Sequence, residues 1–388
     1  MSHRSSKPLV AIACGGTGGH LFPGLAVAGE LRARGCEVLA LISPKEVDQE
    51  AVKGVDGITV HTLPAVGMTD HRYLQFFKGF WQSYRLAVRL FRQRPPQAVL
   101  AMGGFTSAPP VHAGRKFGAA AFLHESNTIP GRANGWLARF VHQSFVGFPA
   151  TAQRLARAQV VGTPVRPQFR AGEPGESRRR LGLKAERPVL LVMGGSQGAT
   201  GINELVIASL DFLKERLPGW QFAHLAGVQD YEKVRAAYAA RQLDAVVWQF
   251  LDRMECALGA ATVAISRAGA SSQAELAAMR LPAVLIPFPF AAGNHQYFNA
   301  RAFADTGAAS LLEQKSATPA RLLALLEPLA HDPAAHARMA EAVGQWHKPD
   351  AAGVIADQML ARLKQLHGGQ FNFSAVAGAR LESTTVAT

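Results

Sequence analysis

Cysteine is scarce in this chain: of 388 residues, only Cys14, Cys36 and Cys256 carry a thiol. None is spaced as a CxxC pair or set near a histidine cluster. That excludes a disulfide scaffold and a zinc-finger type of site, and it predicts a reduced, cytosolic setting. Long apolar runs are missing as well, since no stretch approaches the roughly 20 apolar residues of a membrane-spanning helix. The short run Leu9 to Cys14 leads straight into a glycine turn and not into a small-residue cleavage site, so it reads as a strand. A soluble or peripheral protein is expected. Acidic residues are few in the first part: residues 1–165 hold 18 Lys and Arg against 8 Asp and Glu, and the remainder 23 against 20. A one-sided basic surface suits nucleic acid, anionic phospholipid or a phosphorylated substrate, and composition does not choose among them.

What is present is a regular alternation. The chain is long for a single core, and 48% of its residues are hydrophobic, so two domains are expected. Short runs rich in Val, Ile, Leu and Ala alternate with amphipathic stretches, the pattern of βαβ units and a parallel sheet. The spacing predicts strands at Leu9–Ala13, Glu37–Ile42, Ile58–Leu63, Ala98–Met102, Ala121–His124 and Ser144–Val146 in the first half. In the second half it predicts Val189–Met193, Phe222–Ala226, Val246–Gln249, Val263–Ser266 and Ala283–Pro287. Each half reads as a Rossmann-like sheet. A weak internal repeat agrees, because Ala11 to Gly19 and Leu191 to Gly198 both run from an apolar strand into a glycine turn. The active site is then expected in the cleft between the two carboxyl ends. After the amphipathic stretch Ala351 to Leu366, the Ser-, Thr-, Ala- and Gly-rich end is expected to be disordered.

Three turns carry candidate chemistry. Gly15-Gly-Thr-Gly-Gly-His20 follows the first strand, and Pro23 is read as opening a helix, so backbone N–H groups can approach a phosphate. An ordinary strand-to-helix turn or a dinucleotide site is the plainer alternative, although the spacing is not GxGxxG. Gly194-Gly-Ser-Gln-Gly198 repeats the arrangement, with Ser196 as a hydroxyl donor. The third turn, Ser266 to Glu275, passes from a strand into a helix whose first N–H groups can hold a diphosphate. Glu275, about one turn in, is placed to accept hydrogen bonds from ribose hydroxyls, or is simply a solvated carboxylate. Two polar clusters at strand ends, His124-Glu-Ser-Asn127 and Asn294-His-Gln296, offer donors and acceptors for sugar hydroxyls.

The segment His71 to Arg94 has Arg72, Lys78 and four further arginines and no acid. Leu74, Phe77, Trp81, Tyr84, Val88 and Phe91 fall at helical spacing and read as the stripe facing the core. Tyr73, Phe76 and Phe80 lie beside that stripe and exceed what one buried face needs. An apolar patch ringed by cations suits a surface that rests on anionic lipid headgroups.

Set in order, these segments resemble the MurG family of glycosyltransferases, from about Pro8 to Leu366. The likeness also draws on Gly103-Gly-Phe-Thr-Ser-Ala-Pro109, Gly162-Thr-Pro-Val-Arg166 and Asn299. Ser126, Thr163 and His295 depart from or vary within the family pattern, and none removes a charge. The resemblance implies an α/β GT-B fold, two Rossmann-like domains whose parallel sheets face an interdomain cleft. Residues 8–163 would form the domain for the acceptor and the membrane, completed by a C-terminal helix of about 351–366. Residues 164–345 would bind the UDP-sugar, and 368–388 would be the tail. The implied activity is inverting transfer of N-acetylglucosamine from UDP-N-acetylglucosamine to the 4-hydroxyl of undecaprenyl-pyrophosphoryl-N-acetylmuramoyl-pentapeptide, converting lipid I to lipid II in peptidoglycan synthesis.

By motif position, Arg166, Ser196 and the turn Ala270, Ser271, Ser272, Gln273 would hold the donor diphosphate, and Glu275 the ribose. Leu251 would meet uracil through its backbone, Asn127 and Gln296 the sugar, and Thr17, Gly18 and Gly19 would close from the opposite side. Helix dipole and Arg166 can stabilise the leaving diphosphate, and no Asp-x-Asp pair occurs, so no metal or other cofactor is expected. His20 is the first candidate for the base and Glu125 the second. Tyr73, Phe76, Phe80, Arg72 and Lys78 would meet the membrane at the cytoplasmic face of the inner membrane. Cell-wall and division proteins are further candidate partners. Two rivals stay open: the same fold with a diacylglycerol, sterol or other glycoside acceptor, and an idle scaffold that only binds nucleotide sugars. Nucleic acid is not expected as a partner, because no recognition module surrounds the basic segment.

Overall fold

The computed structural model describes residues 7–16, 18–53, 55–67, 73–195 and 198–367. Among them, the first sheet holds β1 (Leu9–Ala13), β2 (Glu37–Ile42), β3 (Thr59–Thr62), β4 (Ala98–Ala101), β5 (Ala120–Glu125), β6 (Gln143–Val146) and β7 (Ala158–Val160). Their spatial order is β3-β2-β1-β4-β5-β6-β7, with every neighbouring pair parallel. The second sheet holds β8 (Val189–Met193), β9 (Gln221–Leu225), β10 (Ala245–Trp248), β11 (Val263–Ser266), β12 (Ala283–Leu285) and β13 (Ser310–Leu311). Its order is β10-β9-β8-β11-β12-β13, again parallel throughout.

Every residue of β1, β4, β8 and β11 is buried. Helices cover both faces of these central strands, so Val, Ile, Leu and Ala occupy each position without alternation. The outer β7 and β13 were not expected from the sequence. They are three and two residues long and only partly buried, too short to show a period.

In both sheets the order in which strands are added reverses beside the first strand, between β1 and β4 and between β8 and β11. Loops part at such a switch point and leave a crevice at the carboxyl ends of the strands. The described residues that follow those four strands are Cys14 to Gly16, Met102 to Ser107, Gly194, Gly195, Gly198 and Ala199, and Arg267 to Gly269. The glycine motifs are therefore the rims of two crevices.

The helix Ala351–His367 packs on the first sheet. Ile355, Ala356, Met359 and Leu363 are buried with Val10, Ile12, Leu21 and Val27. Each large side chain among them contributes about 1.5–3 kcal/mol. Arg34 adds a two-pronged pair with Asp357, Nε to Oδ1 at 2.6 Å and Nη2 to Oδ2 at 3.2 Å.

Two local expectations are corrected. Pro23 does not open a helix: the helix runs Gly18–Ala33 with Pro23 inside it, so Gly18, Gly19 and His20 form its first turn. In the helix Tyr73–Gln93 the buried line is Gly79, Ser83, Ala87 and Phe91; of the expected stripe Phe91 is buried and Tyr84 and Val88 pack partly buried on the core, but its first half is not. Leu74, Phe77 and Trp81 are 87%, 64% and 58% exposed, whereas Phe76 and Phe80 are half-buried. The small residues win because they allow close approach: a Cβ on Gly79 would stand 2.9 Å from the Pro64 carbonyl oxygen.

Candidate active site

The first glycine turn is clamped from two neighbouring loops. Gly15 lies so close to the end of β2 that a Cβ there would stand 2.2 Å from Ser43 N, and its carbonyl accepts from Thr106 Oγ1 at 2.7 Å. Gly16 donates to buried Asp48 Oδ2 at 2.6 Å, and its carbonyl accepts from Lys45 Nζ at 2.7 Å. Asp48 also accepts from Ser43 Oγ at 2.5 Å. Sequence reasoning missed Lys45 and Asp48, whose only signal is position in and just before the short helix Glu46–Ala51 after β2, whereas Thr106 lies in the motif Gly103 to Pro109 without a role assigned to it. Thr17 lies outside the described residues.

His20 rests on Gly103 and Gly104. A Cβ on Gly103 would stand 3.0 Å from His20 Nε2, and one on Gly104 3.0 Å from Nδ1. Both glycines have positive φ, 106° and 76°, so the ring sits where only bare backbone leaves room. Burial lowers the imidazole's pKa, with the Glu125 and Asp48 charges opposing. A neutral ring at neutral pH, able to take a proton, follows from that direction.

Glu125 is otherwise occupied. Its Oε1 accepts from Asn127 N at 2.8 Å and Asn127 Nδ2 at 3.0 Å, and its Oε2 from Gly131 N at 3.0 Å and Asn134 Nδ2 at 2.8 Å. Four N–H donors fill the acceptor directions of a buried carboxylate, leaving none for a sugar hydroxyl. This geometry makes Glu125 the anchor of its loop and argues against it as the base. Asn127 in turn reaches the second sheet's side: its Oδ1 accepts from Asn299 Nδ2 at 3.0 Å, and Asn299 Oδ1 accepts from Thr128 N at 2.8 Å. The neighbouring His124 is buried, bonded to Gly162 O at 3.0 Å and Ser126 Oγ at 3.3 Å.

Across the crevice stands the helix Ala270–Ala278, with Gly269 at its cap and no capping side chain. Its first-turn N–H groups are the kind that bind anions. Gln273 is fully buried there, and neither atom of its amide finds a partner. Ser271 Oγ donates to Gly19 O at 3.0 Å. That carbonyl lacks its helical partner because Pro23, four residues on, has no N–H. The proline thus leaves an acceptor that ties the two sides together.

Arg166 projects between them, its guanidinium 4.2 Å from the Phe22 ring and 5.0 Å from Phe169. Burial lowers its pKa, opposed by Glu275 and Glu255. Burial pushes Glu275 up to about 7, against the pull of Arg166. Arg267 bonds the carbonyls of Ile286 and Pro287 at 3.1 and 3.2 Å, and burial brings it down to about 10. Gln296 Oε1 accepts from Phe288 N at 3.0 Å and Ala268 N at 3.3 Å, holding two rim loops together. Leu251 is half-buried in the loop after β10. Ser196 lies outside the described residues; Gly198 N bonds Gly195 O at 2.9 Å. Asn294 precedes the helix His295–Ala304 in a left-handed conformation, φ 54°, without a side-chain cap.

The structure therefore brings His20, Gly18, Gly19, Arg166, Ala270 to Gln273 and Gln296 to facing crevice rims. It sets Tyr73, Phe76, Lys78 and Phe80 apart on the helix Tyr73–Gln93, and Arg72 lies outside the described residues.

Residues 10–146 match the N-terminal domain of glycosyltransferase family 28, and residues 189–355 its C-terminal domain. The chain is 41% identical over 353 residues to a UDP-N-acetylglucosamine–N-acetylmuramyl-(pentapeptide) pyrophosphoryl-undecaprenol N-acetylglucosamine transferase of Acidithiobacillus ferrooxidans, covering 89% of this chain and 96% of that protein. A protein of the same name from Xanthomonas campestris is 38% identical over 362 residues, 92% of this chain and 82% of its own length. Among solved structures, MurG of Acinetobacter baumannii superposes with a TM-score of 0.71 at 28% identity, covering 92% of this chain and all of that one. Together with the paired parallel sheets and the glycine-rimmed crevices, these matches place the chain in the MurG family of family 28 glycosyltransferases, with the GT-B fold.

Proposed function

We propose that this chain transfers N-acetylglucosamine from UDP-N-acetylglucosamine to the 4-hydroxyl of the N-acetylmuramoyl-pentapeptide on undecaprenyl pyrophosphate, making lipid II from lipid I. The observation that carries the mechanism is the uncapped N-terminus of the helix Ala270–Ala278, where buried Gln273 has no partner, facing the helix Gly18–Ala33 through the Ser271–Gly19 bond. An anion seated there meets first-turn N–H groups and the Gln273 amide, with the Arg166 charge beside it. The donor diphosphate belongs at that place, with Ser196 as a further donor, Glu275 accepting from the ribose, Leu251 at the uracil, and Gln296 and Asn127 at the sugar.

The acceptor enters on the side of His20. As the hydroxyl attacks the anomeric carbon from the face opposite UDP, His20 takes its proton, the C–O bond to the diphosphate breaks, and configuration inverts. Charge gathers on the leaving diphosphate, and the fixed dipoles and Arg166 are what stabilise it. In this scheme those dipoles and Arg166 act without a metal.

Among the described residues no helix is long and apolar enough to cross a membrane. The exposed Tyr73, Leu74, Phe77 and Trp81, beside Lys78, form an apolar and basic patch that would rest on anionic headgroups at the cytoplasmic face of the inner membrane. That contact brings a lipid-linked acceptor to the first sheet. The test is transfer of labelled sugar from UDP-N-acetylglucosamine to a short-chain lipid I analogue or to diacylglycerol, with and without chelator. Chelator-resistant labelling of lipid I is expected. Labelling of diacylglycerol alone would overturn the acceptor, and loss with chelator would overturn the metal-free scheme.

A further inference from the structure

Away from the crevice, a buried chain of polar side chains ends on the second glycine turn. His224, at the fourth position of β9, has no exposed surface, and Asn203 and Tyr238 are each 2% exposed. Asn203 Nδ2 lies 2.8 Å from Ala226 O and 2.8 Å from Asp230 Oδ2, both of which only accept. That fixes the amide's orientation, so Asn203 Oδ1 accepts from His224 Nε2–H at 2.9 Å. His224 Nδ1 is then an acceptor, and the Tyr238 hydroxyl, 3.1 Å away, donates to it. Burial holds the imidazole neutral, down to about 3. Every bond in the chain thus runs one way, from Tyr238 through His224 to Asn203 and on to Ala226 and Asp230.

The far end of that chain touches the turn. Gly198, φ 79°, packs on the carbonyl that Asn203 holds, since a Cβ there would stand 2.5 Å from Ala226 O and 3.0 Å from Gly227 Cα. Asp230 Oδ2 also accepts from Thr200 Oγ1 at 2.8 Å, which ties the start of the helix Thr200–Arg216 to the same loop. Gly194 has no slack either, with a Cβ falling 2.6 Å from Ala199 Cβ.

We propose that His224 is a positioning residue for the donor site: its Nε2–H holds Asn203 Oδ1 in place, and the Asn203 amide seats the Ala226 carbonyl against Gly198, the last residue of the turn that begins at Gly194. The proposal rests on the reading of that turn as part of the donor-diphosphate site. A residue acting this way moves donor binding and leaves acceptor binding alone, whereas simple loss of stability removes active protein and leaves both KM values unchanged.

The experiment measures kcat and both KM values for the full chain and for His224→Leu and His224→Gln. The leucine removes both bonds, and the glutamine amide can still donate to Asn203 Oδ1. His224→Leu is expected to raise the donor KM roughly tenfold, as loss of one buried hydrogen bond would. The acceptor KM and kcat are expected to stay within about twofold, and His224→Gln to restore most of the donor KM. An unchanged donor KM in His224→Leu, or glutamine behaving like leucine, overturns the proposal. Ser196→Ala runs beside them: if it raises the donor KM and His224→Leu does not, only this proposal fails. If Ser196→Ala has no effect, the donor reading of the turn fails first. Should His224→Leu not fold, imidazole 15N shifts in the unaltered protein decide, a proton on Nε2 supporting the chain and one on Nδ1 overturning it.

Discussion

Replacing Glu125 with Gln separates an anchoring carboxylate from a catalytic one. The substitution keeps shape and turns one oxygen into an NH2 group. Whichever way the new amide faces, that NH2 meets two N–H donors, either Asn127 N and Nδ2 or Gly131 N and Asn134 Nδ2. Neither asparagine is free to turn in response, because Asn127 Oδ1 already accepts from Asn299 and Asn134 Nδ2 also donates to His124 O at 3.3 Å. Two hydrogen bonds to a carboxylate are lost, at roughly 1.5–3 kcal/mol each. The expected destabilisation is about 3–6 kcal/mol, equivalent to a fall of roughly 10 °C or more in Tm for a domain of this size. Thermal unfolding followed by circular dichroism reads that shift, and the transfer assay well below the transition reads kcat. A Tm within about 2 °C of the parent together with a kcat reduced more than about a hundredfold would refute the reasoning and return Glu125 to the role of base.

Gly103→Ala puts a methyl 3.0 Å from His20 Nε2 and Asn134 Nδ2 at φ 106°, so kcat should fall at least about tenfold while donor affinity, measured by calorimetry, stays. Glu275, raised to about 7, loses its charge on protonation and turns one of its two acceptor oxygens into an O–H donor, whereas ribose hydroxyls favour the ionised form. The donor KM should therefore rise as pH falls through about 7, by up to about tenfold per unit, and lie flat in Glu275→Gln. Changing Leu74, Phe77 and Trp81 together to Ser should abolish sedimentation with anionic vesicles and leave Tm nearly unchanged, whereas Phe76→Ser and Phe80→Ser should lower Tm.

The sheets were legible because the central strands are apolar at every position and follow turn signals, as in Val189–Met193 and Val263–Ser266, where expectation and structure coincide. The glycine motifs were legible for a related reason: close approach to a neighbouring strand or ring admits no other residue. Contacts between distant segments were not. Asp48 holds Gly16 from 32 residues away, and Asn299 meets Asn127 over 172 residues. No local pattern marks such a pair. The helix Tyr73–Gln93 misled for a physical reason, because two stripes share its 3.6-residue period. Size points to Leu74, Phe77 and Trp81, and packing selects Gly79, Ser83 and Ala87. Pro23 misled likewise: proline is common at a helix start, yet here it sits in the sixth position and frees the Gly19 carbonyl for Ser271.

The central claim is that one crevice holds the donor diphosphate on the helix Ala270–Ala278 and activates the acceptor hydroxyl through His20. Turnover of His20→Ala at saturating concentrations of both substrates, with donor affinity measured alongside, tests it most directly. The account predicts a kcat lower by about 10²–10⁴ with donor affinity unchanged. Near-normal turnover would contradict it.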